Sequence, residues 1–316
     1  MMEKPLVGIS TCLMGESVRY DGGHKLDRYL RDTLGQYVDF VPVCPEVECG
    51  LSVPREAIRL VETDGAIRLM TQKTGIDLTD QMVAWSARRL NELEGLPLCG
   101  YVFKSRSPSS GLYRIKVYQD GGGVKNNGTG IFAGLFVKRF PLVPVEEEGR
   151  LNDPQLRENF IERLFVMQRW HLLNQERKTV GRLVAFHAAH KYLLMAHCPQ
   201  TLKKLGALVA DGKKHPAGKL YDLYMEALMP ALAKIATPRK NTNVLLHIMG
   251  YFKQTLESDE KAELKEIIDR YHQGLVPLVV PLTLINHYVR KHGTEYLKDQ
   301  IYLNPHPMEL MLRNRV

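Results

Sequence analysis

Three apolar runs in the first half of the chain share one outline. Leu6-Val7-Gly8-Ile9-Ser10, Val38-Asp39-Phe40-Val41-Pro42-Val43 and Gly100-Tyr101-Val102-Phe103 are short, rich in β-branched or aromatic residues, and break into polar clusters containing Gly, Pro or Ser. Such a run ending at a turn signal predicts a buried strand leading into a loop. Between the runs the period lengthens. Leu26, Tyr29, Leu30 and Leu34 have helical spacing, as do Met82, Trp85, Ala87 and Leu90, which follow a start signal at Asp77-Leu78-Thr79-Asp80. Ile131 to Phe136 predicts a third helix. Ala66 to Met70, Arg114 to Tyr118 and Leu142 to Val145 read as short strands, the stretch through Pro45 and Pro54 as a loop, and Gly121 to Gly130 as a flexible loop. Alternating strands and helices predict an α/β domain with a mainly parallel sheet flanked by helices. Ligands of such sheets bind outside the carboxyl ends of the strands. Cys12, Cys44, Glu46 and the turn Ser107-Pro108-Ser109-Ser110 are therefore expected to converge on one crevice.

The run Glu146-Glu147-Glu148-Gly149 marks a boundary, giving expected domains of residues 1–150 and 151–316. Past it the pattern is helical throughout. Asn152-Asp153-Pro154 is a helix start, and further helices are expected over Leu183 to Met195, Leu202 to Val209, Lys219 to Ile235, Asn243 to Leu256 and Glu260 to Gln273. The segment from Leu275 to Leu282, interrupted twice by proline, reads as a buried connector before a last helix, Leu282 to Lys291. The second domain is thus expected to be all-α.

Charge separates the two halves further. The net charge is +8, yet residues 1–150 carry 19 Lys and Arg against 19 Asp and Glu, so the whole excess lies beyond residue 150, with ten of the 11 histidines. A neutral half joined to a basic half suggests chemistry in the first and capture of a polyanion in the second. Basic groups at Arg177-Lys178, Lys203-Lys204, Lys213-Lys214, Arg239-Lys240 and Arg290-Lys291 are interleaved with Tyr192, Tyr221, Tyr224, Tyr251, Phe252, Tyr271 and Tyr288. That mixture suits phosphate contacts with base stacking, and each aromatic equally suits helix packing. No apolar run reaches membrane-spanning length, no signal peptide is evident at the amino terminus, and five cysteines without a framework point to a reducing, cytoplasmic setting.

Cys44 and Cys49 have the Cys-x4-Cys spacing of plant-type ferredoxin ligands, and soft thiolates select iron–sulfur clusters, zinc or copper(I). Cys12 and Cys44 read either as ligands at strand ends or as small buried residues, while Cys99 and Cys198 read as structural. The serine turn offers hydroxyls and backbone N–H groups to an anion or a polar ligand edge. His187 and His190 read as a polar helix face rather than a metal pair. Phosphate-loop and dinucleotide fingerprints are absent.

Four motifs, Ser10-Thr11-Cys12-Leu13-Met14-Gly15, Arg19-Tyr20-Asp21-Gly22-Gly23, Cys44-Pro45-Glu46 and Ser107-Pro108-Ser109-Ser110-Gly111, resemble in order those of the thiouracil desulfidase family over roughly residues 5–148. Residues from about 180 to 310 resemble the YbgA-type domain, and the combination is similar to the tRNA 4-thiouridine desulfidases. The resemblance implies a 4Fe-4S cluster held by three cysteines with one iron open to the substrate sulfur. It assigns Cys12 and Cys44 as ligands, Glu46 as the base that activates water, and Ser107 as an orienting hydroxyl. Arg19, Asp21, Lys25 and Ser109 are expected to bind substrate. The family's third ligand falls in the serine turn, where this chain has Ser110, and Cys49 is therefore expected to substitute. The activity implied is non-redox hydrolysis of 4-thiouridine in tRNA to uridine, with tRNA as partner and no membrane. The alternatives are a desulfidase of free thiopyrimidines and a cluster-free RNA-binding protein.

Overall fold

The computed structural model describes residues 3–119 and 121–315. It resolves into two compact units, one ending at Asp153 and the other starting at Pro154. In the first, β1 (Leu6–Ser10), β2 (Asp39–Val43), β5 (Leu98–Phe103) and β8 (Val145–Glu147) form a four-stranded parallel sheet in the order β2-β1-β5-β8. The chain leaves β1 to build β2 on one side, then returns to build β5 on the other. That reversal opens a crevice at the carboxyl ends of β1 and β5, the usual ligand site of an open α/β sheet. Helices α2 (Thr79–Glu94) and α3 (Ile131–Arg139) supply the apolar cover.

A second sheet, absent from the sequence expectation, has the order β4-β3-β6-β7. Its strands are β3 (Ile58–Thr63), β4 (Ala66–Thr71), β6 (Ile115–Gln119) and β7 (Val124–Gly128). The β3–β4 hairpin turns on Asp64-Gly65, both with positive φ, as a tight two-residue hairpin loop requires. Part of the expected flexible loop is thus the edge strand β7, whose polar sequence Val-Lys-Asn-Asn-Gly pairs antiparallel with β6. Three other expectations need correction. Pro45–Glu48 is a single helical turn, α1, not loop; the helix expected around Leu26–Leu34 is a π turn over Tyr29–Thr33 followed by a 3-10 turn over Leu34–Gln36; and the last strand sits at Val145–Glu147 rather than over Leu142–Val145.

The core centres on Tyr101, Phe103, Phe132 and Phe136, all fully buried, with Tyr101 and Phe103 stacked 4.1 Å apart and Phe136 4.7 Å from Tyr101. A residue of that size contributes roughly 1.5–3 kcal/mol on burial. Tyr101 lies over Gly8 of the neighbouring strand, where a Cβ would come within 2.2 Å of the ring. Glycine at position 8 thus lets a full aromatic layer close directly over the strand that leads into Cys12.

The second unit is helical: α4 (Pro154–Gln175), α5 (Val180–His197), α6 (Pro199–Ala210), α7 (Ala217–Leu232), α8 (Pro238–Met249), α9 (Ser258–His272), α10 (Val279–His292) and the short α11 (Glu295–Lys298). Its core includes Trp170, Phe186, Tyr221 and Tyr224 in mutual ring contact. The connector expected from Leu275 enters a helix already at Val279.

Candidate active site

The polar ends of β1, β2 and β5 meet around a cavity of about 420 Å³. Cys12 follows β1 in a 3-10 turn over Thr11–Met14, and Cys44 follows β2 as the residue that opens α1. Both line the cavity with Glu46, Arg19, Lys25 and the serines 107, 109 and 110. The expected convergence of strand ends is thus present. Burial pushes the Cys12 thiol up to about 11, against the pull of Lys104, and burial also raises Cys44.

Glu46 is the best-anchored group. Ser109 Oγ donates to its Oε1 at 2.8 Å, and Ser107 Oγ lies 3.5 Å from the same oxygen. Arg55 donates to its Oε2 from Nε at 3.0 Å and from Nη2. The same Arg55 donates to the Val18 and Ser52 carbonyls, so it ties the loop after β1 to the carboxylate. Arg55 and Glu46 are only 7% and 14% exposed at their side chains, which makes the pair a buried clamp rather than a surface bridge. Arg55 was not among the expected site residues. Lys104, also unexpected, lines the cavity. It donates to Glu148 Oε1 at 2.6 Å, while its backbone N–H donates to Ser10 Oγ at 2.9 Å and joins the ends of β1 and β5.

The serine turn is held from inside. Ser107 Oγ accepts from the N–H groups of Ser109 and Ser110 at 3.3 and 3.1 Å. The start of α3 packs directly on it: Ile131 and Phe132 donate to the carbonyls of Pro108 and Ser109, and a Cβ on Gly130 would fall 2.6 Å from Ser109 carbonyl atoms. Gly130→Ala should therefore displace the turn or the helix. The expected cost is about 1–3 kcal/mol of stability, seen as a lower midpoint in thermal unfolding, with activity falling further than stability.

Two expected residues lie elsewhere. Asp21 does not line the cavity; it accepts from Arg19 and from Gly23 N–H, so it shapes the turn that presents Arg19. Cys49, the expected third ligand, does not line it either. Because Pro45–Glu48 is helical, residue 49 is rotated about 140° from residue 44. Its thiol donates to the Glu46 carbonyl at 3.2 Å, its side chain packs against the apolar core, and burial pushes it up to about 11. Ser110 occupies the cavity wall instead, and its hydroxyl makes no hydrogen bond among the described residues. Cys99, near the start of β5, is buried, and burial pushes it up to about 12.

No group of three or more His, Cys, Asp or Glu among the described residues is arranged to hold a metal ion. Of the cavity's acidic and sulfur groups, Glu46 is tied to Arg55, which leaves the Cys12 and Cys44 thiols and the Ser110 hydroxyl as the donors a cluster would meet, the last a harder donor than cysteine.

In the second unit His190 is not on a polar face. It is buried, stacked 3.9 Å from Phe186, bonded to the Phe186 carbonyl, and pushed down to about 3 by burial. His187 bonds to the Tyr224 hydroxyl. Of the seven interleaved aromatics six are buried, and Tyr251, 41% exposed, alone faces outward, stacked on Tyr296. The basic clusters at Lys203-Lys204, Lys213-Lys214 and Arg290-Lys291 are exposed. No helix among the described residues is long and apolar enough to cross a membrane.

Comparison with known proteins divides the chain at the same place. Residues 7–148 match the 2-thiouracil desulfurase family, and residues 191–307 match the DUF1722 family of proteins of unknown function. The uncharacterized protein YbgA of Escherichia coli (strain K12) is 33% identical over 153 residues, 48% of this chain and 90% of that protein. The uncharacterized protein YbbK of Bacillus subtilis (strain 168) is 28% identical over 156 residues, 47% and 99% of the respective chains. Among solved structures, a [4Fe-4S]-dependent thiouracil desulfidase, TudS, aligns with a TM-score of 0.39 at 28% identity, covering 48% of this chain and 95% of its own.

Proposed function

This chain belongs to the YbgA family, with a 2-thiouracil desulfurase domain ahead of its YbgA-type part, and from that premise we propose that it is an iron–sulfur-dependent desulfidase acting on 4-thiouridine in tRNA. The observation that carries the reading is the meeting of Cys12, Cys44, Glu46 and Ser109 in one cavity at the ends of parallel strands. A 4Fe-4S cluster is the cofactor proposed, held by Cys12 and Cys44 with Ser110 at the third position. When bound it supplies a Lewis-acidic iron that polarises the thiocarbonyl.

The chain's own groups do the rest. Glu46 takes a proton from water at the carboxylate oxygen that faces Ser109, and the water oxygen bonds to the ring carbon. The carbon–sulfur bond then breaks; the sulfur takes the proton held by Glu46 and leaves as hydrosulfide, and the oxygen bound to the carbon gives its remaining proton to the freed carboxylate. Water is consumed, carbonyl replaces thiocarbonyl, and no electrons are transferred. Arg55 fixes the other carboxylate oxygen, so the base approaches from one direction. Ser107 orders the turn that carries Ser109, and Arg19 and Lys25 are placed to meet the polar edge of a pyrimidine or its sugar.

The support for tRNA over a free base is the charge: the whole excess of +8 lies beyond residue 150. A reducing cytoplasm suits both the cofactor and the free cysteines. The test is to purify the protein without oxygen and follow sulfide release from 4-thiouridine tRNA and from free 4-thiouracil at several salt concentrations. The expected result is preference for tRNA that fades steeply as salt rises. Equal, salt-independent turnover of the free base would replace tRNA with thiopyrimidines, and no sulfide from either substrate would overturn the activity.

A further inference from the structure

The active-site cavity continues into a second concavity of about 480 Å³ on the β3–β6 sheet. The two share Ile58, Gln72, Arg106 and Pro108 in their walls. Four basic side chains, Arg59, Arg106, Arg114 and Lys116, line the second one with Tyr118, and no carboxylate does. None of the four forms a salt bridge among the described residues, although most cations of this unit that flank the active site do. Arg59 lies over the Tyr118 ring at 5.0 Å, and its Nε is buried without a hydrogen-bond partner. A buried guanidinium donor left unpaired is a cost that an incoming acceptor oxygen removes.

The backbone adds a second observation. Arg106 and Arg114 bracket the serine turn, and both have left-handed backbone, φ 60° and φ 54°. A side chain longer than that of glycine or asparagine is uncommon there, and strain of this kind gathers at functional sites. Both arginines are exposed, one at each end of the turn that faces Glu46.

We propose that this groove holds the sugar–phosphate backbone of the nucleotides next to the one whose base enters the active site. The inference rests on the reading of the substrate as a thiopyrimidine within RNA. It assigns part of the RNA contact to the neutral first unit, where the local arrangement of charge, not its sum, makes the site. Arginine suits it because the planar fork grips phosphate oxygens in pairs, and the groove's continuity with the cavity lets one strand reach both.

The test uses the full-length protein carrying Arg114→Asn with Lys116→Ser. Neither residue lines the active-site cavity, and asparagine tolerates left-handed backbone. Binding of a fluorescently labelled single-stranded RNA with one 4-thiouridine is followed by anisotropy across salt concentrations, and turnover of free 4-thiouracil is measured in parallel. The expected result is affinity lowered about tenfold and a log–log salt slope smaller by about 1.4, two contacts at roughly 0.7 each, with free-base turnover unchanged. The charge-preserving pair Arg114→Lys with Lys116→Arg should restore the slope, which counts charges, with affinity recovered in part. Unchanged RNA affinity and slope in the first variant, or failure of that rescue, would overturn the groove assignment, as would competition by polyglutamate as strong as by RNA. Absence of free-base turnover in every protein, alongside the expected loss of RNA affinity, would instead sink the desulfidase reading and leave the groove standing.

Discussion

Glu46→Gln should lower kcat by about 10²- to 10⁴-fold, the range typical for loss of a positioned general base. Iron content should not change. The substitution preserves shape, and the site can accept it: the amide oxygen can take the Arg55 hydrogen bonds while the amide nitrogen donates to Ser109 Oγ, a hydroxyl able to accept. What is removed is the capacity to take a proton from water. Arg55→Lys should act differently. It keeps the charge but loses the fork that reaches Glu46 and the Val18 carbonyl together, so KM should rise with a smaller fall in kcat. Single-turnover sulfide release separates the two. A kcat for Glu46→Gln within threefold of the parent would remove Glu46 from the reaction.

That site was only half legible in the chain. β1 and β5 could be read because buried parallel strands are continuous apolar runs; β2 is an edge strand with Asp39 and Pro42 exposed, not the buried strand expected, and was legible because its run breaks into a polar cluster as theirs do. Arg55 could not be read this way. It follows Pro54, nine residues after Glu46, and looks like any solvated cation; only the folding of Leu51–Pro54 brings it back. The second sheet was hidden for another reason. β7 is polar because it is an edge, so periodicity misses it, although Asp64-Gly65 was a hairpin signal for β3–β4. In the second unit aromatics and cations alternate along the sequence. Helix packing then turns six of the seven aromatics inward and leaves the lysine pairs outside, since 3.6-residue periodicity sorts neighbours onto different faces.

The third ligand is where local geometry changes the expectation most. A five-residue stretch from Cys44 can fold back as a loop, and Cys49 then sits beside Cys44; as a helical turn it cannot, and the thiol points to the Glu46 carbonyl and the core. Cys49→Ser should therefore leave cluster content unchanged. Ser110→Cys should have the opposite standing. It places a soft thiolate on the cavity wall that already holds two thiols, in a turn fixed by Ser107 and α3, where a protonated hydroxyl is a weak partner for iron. Against a chelator, the variant should hold its iron on the order of tenfold longer or more, an effect at least as large as changes outside the ligand set produce. Ser110→Ala should lose iron faster than the parent, and Cys12→Ala or Cys44→Ala should hold none. Iron and acid-labile sulfide after anaerobic reconstitution, with the visible absorbance of the cluster, read all five variants at once. If Cys49→Ser empties the site while Ser110→Cys leaves iron retention as it was, the helical turn must open when the cluster binds, and the third ligand returns to Cys49.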